Sequence, residues 1–117
     1  MDNLFDNEQD DDLPADELTQ EELNEISELS KKGYQLLKEG LLDRAETCFS
    51  EILDIDSSNN YALVGMGDTL RKSRHFQDAI KYYQSCLNNH RGNNYALFGL
   101  ADCYKALHQY NRAIDIW

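Results

Sequence analysis

The chain has 117 residues, 22 acids against 11 Lys and Arg, and a formal net charge of -11. Twelve of those acids fall within residues 1–29, which contain no Lys or Arg, so the remainder is close to neutral and lacks the clustered basic excess that phosphate binding requires. Nucleic acid is therefore not expected as a partner. The chain also has no apolar run of bilayer-spanning length and no basic-then-apolar leader, so no membrane association is expected and the location is read as cytoplasmic.

Residues 1–17 combine an acidic run with few large apolar side chains and the one proline, Pro14, a composition that predicts disorder. Order is predicted to begin near Gln20, because Thr19 and Glu22 have capping-box spacing and Leu18 and Leu23 the spacing of a hydrophobic staple. Leu23, Ile26, Leu29, Gly33, Leu36 and Leu37 then share one helical face, and Gly40 ends it. A second helix carries Ala45, Phe49, Ile52 and Leu53 as far as Asp56-Ser57-Ser58-Asn59, residues that favour turns and caps. The next pair has Leu63, Met66, Gly67 and Leu70, a turn at Arg74-His75, then Phe76, Ala79, Ile80, Tyr83, Cys86 and Leu87, ending in the stretch Asn88 to Asn93. A third pair starts with Leu97, Leu100, Ala101 and Tyr104, turns near His108-Gln109, and runs through Tyr110, Ala113 and Ile114 to Trp117.

Two of these stretches are nearly the same phrase. NNYALVGMGDTL begins at Asn59 and NNYALFGLADCY at Asn93, 34 residues later, and Ala45, Ala79 and Ala113 keep the same step. Two short helices in a unit of that length, with small residues at fixed places, resemble the tetratricopeptide repeat. The resemblance covers residues 26–117 as repeats 26–59 and 60–93 and an incomplete repeat 94–117. The family's small residues fall on Gly33, Gly67 and Ala101 and on the three alanines, and its aromatic on Phe49, Tyr83 and Trp117. Ser57 and Arg91 stand where the family often has proline, and Ile52 is large for its place. The implied fold is an all-α, right-handed solenoid of antiparallel helix pairs.

In this family the first helices line a concave surface. The matching positions are Tyr34, Lys38, Tyr61, Val64, Asp68, Arg71, Lys72, Tyr95, Phe98, Asp102 and Lys105. The resemblance thus implies a groove for an extended or helical peptide, with Asp68 and Asp102 suiting a basic or hydrogen-bond-donating residue. Relatives that grip a terminal carboxylate carry Asn where this chain has Tyr34 and Asp68. An acid there repels that ligand, so its class is rejected. In the competing reading, Tyr61 and Tyr95 pack on the preceding repeat and the two aspartates are solvated.

No GxSxG, phosphate loop or metal-spaced His/Cys cluster is present, and neither catalysis nor a cofactor is expected. Cys48, Cys86 and Cys103 are read as buried reduced thiols, and His75 and His108 as solvated turn residues that adjacent repeats bring near each other. The expected role is a protein-interaction module within a larger scaffold or adaptor. Trp117 falls in mid-helix, so the chain is read as a fragment, with homo-oligomerisation through an uncapped C-terminal end as the alternative. A last alternative has the acidic segment folding onto Arg71, Lys72 and Lys105 in competition with ligand.

Overall fold

The first helix of each repeat starts at a side chain that takes over otherwise unpaired backbone donors. In the computed structural model, which describes residues 17–116, Thr19 Oγ1 accepts from the Glu22 N–H at 3.1 Å while Glu22 Oε1 accepts from the Thr19 N–H at 3.0 Å. This reciprocal cap opens α1, Gln20–Lys38. The repeated phrase carries its own caps: Asn59 Oδ1 accepts from the Ala62 N–H at 3.0 Å and Asn93 Oδ1 from the Ala96 N–H at 2.9 Å. These open α3, Asn60–Lys72, and α5, Asn94–Ala106. The partner helices are α2, Leu42–Ile55, α4, Phe76–Asn89, and α6, Tyr110–Ile116. Trp117 and the expected disordered segment, apart from Glu17, lie outside the described residues.

The turn inside each repeat is built the same way. The N–H of Leu41, His75 and Gln109 returns to the carbonyl of Leu36, Leu70 and Tyr104 at 2.9, 2.8 and 2.7 Å, which ties off the end of the first helix. The residue before each donor has positive φ: Gly40 at 81°, Arg74 at 68° and His108 at 61°. Glycine adopts that conformation freely, whereas Arg74 and His108 each carry a cost of about 1–2 kcal/mol for it.

Six helices and no strand occur among the described residues, arranged as an all-α helical-repeat solenoid. Each helix packs on the next, and α1 also meets α3 and α3 meets α5. The first helices of the repeats therefore form one continuous wall. Between them sit two fully buried rings, Phe49 of α2 and Tyr83 of α4. A Cβ on Gly33 or Gly65 would lie 2.8 or 2.5 Å from Phe49, and a Cβ on Gly67 would lie 2.5 Å from Tyr83. A Cβ on Gly99 would collide with the same Cε1 and Cζ atoms of Tyr83 and with its hydroxyl oxygen. Each ring is thus clamped between a glycine of its own repeat and a glycine of the next. This is why the repeated phrase keeps glycine at Gly65 and Gly99 as well as a small residue two places later.

Leu23 departs from the expected core face and is 46% exposed. At 19 residues α1 is longer than α2, at 14, so its first turn extends past the partner that would cover it. Ile52, large for its place in the repeat, is fully buried in the first core cluster beside Phe49 and Ala45.

Candidate functional site

The concave wall holds a groove of about 670 Å³ lined by Ser30, Lys31, Tyr34, Asn60, Tyr61, Val64, Asp68, Asn93 and Tyr95. A second hollow of about 320 Å³, sharing Asp68 and Tyr95, adds Arg71, Asn94, Phe98 and Gly99. Helical periodicity explains the composition, because residues three or four apart on α1, α3 and α5 point the same way. Tyr61, Tyr95 and Phe98 are 62%, 78% and 54% exposed. The reading in which Tyr61 and Tyr95 are buried against the preceding repeat does not describe these side chains.

Asp68 and Asp102 are not simply solvated. Arg71 Nη2 donates to Asp68 Oδ1 at 3.3 Å, Nη1 to Asp102 Oδ2 at 3.5 Å, and Nε to the Tyr83 hydroxyl at 3.0 Å. The Tyr83 hydroxyl in turn donates to Asp68 Oδ1 at 2.5 Å. One guanidinium therefore ties α3, α4 and α5 together at the floor of the hollow. Burial and the neighbouring Asp68 charge push the Tyr83 phenol well above its ordinary range. Burial alone would lower the Arg71 pKa, but its bond to Tyr83 and the Asp68 charge outweigh this and keep it protonated.

Tyr34 occupies the corresponding place one repeat earlier and solves the problem differently. Its ring meets Phe49 edge-on at 4.9 Å between centroids, and its hydroxyl donates to the Tyr61 carbonyl at 2.6 Å. Burial, reinforced by the Asp68 charge, raises its pKa. Val64 lines the groove but belongs mainly to the core. Lys38, Lys72 and Lys105 lie exposed in the last turns of α1, α3 and α5, outside both hollows, where a cation complements the helix dipole. His75 and His108 are each held within their own turn, by Ser73 Oγ at 2.8 Å and by the Tyr110 hydroxyl at 2.9 Å. The three cysteines are free and buried.

Some residues of the site escaped the sequence reading. Ser30 and Lys31 on α1 and Asn60, Asn93 and Asn94 at helix starts all border the groove. Tyr83, placed at the family's aromatic position in the sequence, contributes the hydroxyl that orients Asp68 and Arg71. The i,i+4 spacing marks Ser30 as a neighbour of Tyr34, whereas nothing local in the sequence marks the reach of Tyr83 from α4.

A family model described as the tetratricopeptide repeat matches residues 61–93. The solved TPR domain of Arabidopsis FLU superposes with a TM-score of 0.76 at 23% identity, covering 81% of this chain and 90% of that one. The chain has the fold of a tetratricopeptide-repeat solenoid. A search of curated proteins found no match. The tetratricopeptide fold generally serves protein–protein interaction, and in this chain its concave wall carries the exposed aromatic side chains described above.

Proposed function

We propose that this tetratricopeptide array is a non-catalytic module that holds an extended or helical segment of another protein across α1, α3 and α5, within a cytoplasmic scaffold or adaptor. The observation that carries the reading is the exposure of Tyr61, Tyr95 and Phe98 on one concave wall. Large aromatics bury much area at low entropic cost and are typical interface anchors. Three free, buried thiols support a reducing location. Selection of short random peptides on the protein and on Tyr95→Ala/Phe98→Ala tests it. Peptides retained by the first and lost by the second support the groove; peptides that bind both equally place the interaction elsewhere, including the alternative of self-association.

A further inference from the structure

We infer that the groove takes its partner segment through a basic side chain, a Lys ammonium or an Arg guanidinium, seated between Asp68 and Asp102 and against Tyr95 and Phe98. This rests on the groove reading above. Two carboxylates share one guanidinium here, so the trio of Asp68, Arg71 and Asp102 keeps one net negative charge. Asp68 Oδ1 is occupied by Tyr83 and Arg71 and Asp102 Oδ2 by Arg71, while Asp68 Oδ2 and Asp102 Oδ1 have no partner among the described residues. An ionised carboxylate has acceptor capacity on both oxygens, so a further donor fits without breaking the existing bonds.

The two acid side chains are 24% and 31% exposed, which shields them from bulk water yet leaves them reachable. Tyr95 and Phe98 border the same hollow, Tyr95 mostly and Phe98 about half exposed. Such rings cover the stem of a Lys or the plane of an Arg and attract its charge through their faces. Lys31 lies at the α1 side of the groove, so its own charge drives a basic residue toward the α3–α5 side. A partner carboxylate at the hollow meets two like charges and is rejected.

The test extends the peptide selection to Asp102→Asn, an isosteric change that leaves Arg71 its bonds to Asp68 and Tyr83, with folding of every variant checked by circular dichroism and thermal unfolding. Peptides that require Tyr95 and Phe98 are expected to be enriched in Lys or Arg. Replacing that residue by Met weakens binding about tenfold at low salt and less at high salt. On Asp102→Asn the Lys and Met peptides bind alike. Peptides that require Tyr95 and Phe98 but show no basic preference, or a preference that persists on Asp102→Asn, overturn the inference and leave the groove standing. Peptides indifferent to Tyr95 and Phe98 overturn both.

Discussion

Replacing Gly99 by alanine probes the packing that joins the second and third repeats. The added methyl would meet Cζ, Cε1 and the hydroxyl oxygen of Tyr83. The ring has no free direction, because Gly67 lies against the same atoms and the residue is fully buried. Relief requires a shift on the order of 1 Å, which takes the 2.5 Å Tyr83–Asp68 bond out of hydrogen-bonding range. Overpacking costs about 1–3 kcal/mol and the lost bond about 1 kcal/mol. Alanine returns about 1 kcal/mol through its helix preference, so the net destabilisation is about 1–3 kcal/mol. Urea unfolding followed by circular dichroism measures it, with Gly92→Ala as the control because a Cβ there meets nothing. In a Tyr83→Leu background the cost of Gly99→Ala should fall by at least about 1 kcal/mol. A Gly99→Ala protein as stable as the parent, or a cost unchanged by Tyr83→Leu, refutes the clamp.

Other consequences follow from the turns, caps and buried groups. Arg74→Gly relieves the positive φ but gives up the contact of the guanidinium with Phe76, 5.5 Å from its ring centroid, and should raise stability by about 0.5–1 kcal/mol in the same unfolding assay. Asn93→Ala removes the cap on α5 and should lower stability by about 1 kcal/mol, whereas Asn93→Gly should cost only a few tenths. Burial pushes the Cys103 thiol up to about 11, with the Arg71 charge opposing it, from about 9 when unfolded. Because the folded value is raised, this contribution to stability is complete below about pH 9 and is lost as pH rises toward 11, so unfolding free energy should decline over that window and decline less in Cys103→Ala.

The regular parts of this molecule were legible because they obey local or periodic rules. Thr19 and Glu22 cap a helix from four residues of sequence, and the 34-residue step of Ala45, Ala79 and Ala113 announces stacked units without any knowledge of their contacts. Gly67 was readable as a close-approach position, whereas Gly65 and Gly99 were not, since their partner rings belong to the preceding repeat. That Asp68, Arg71 and Asp102 face a groove is implied by the resemblance to the tetratricopeptide repeat. Their mutual pairing was hidden, because it depends on how far α5 is rotated against α3 and on a hydroxyl delivered from α4. Leu23 misled for the opposite reason: its periodicity is right, but it sits near the start of the long α1 and stays about half exposed.

The central claim is that partner contact is made on the concave wall at Tyr95. Its most direct test is a photo-reactive phenylalanine derivative placed singly at Tyr95 or at Lys81, which is exposed on α4, followed by irradiation in native extract and mass spectrometry of the products. The account predicts adducts to a segment of another protein from position 95, suppressed by peptides selected on the groove, and none of them from position 81. Identical adducts from both positions, or adducts from 81 alone, would contradict it.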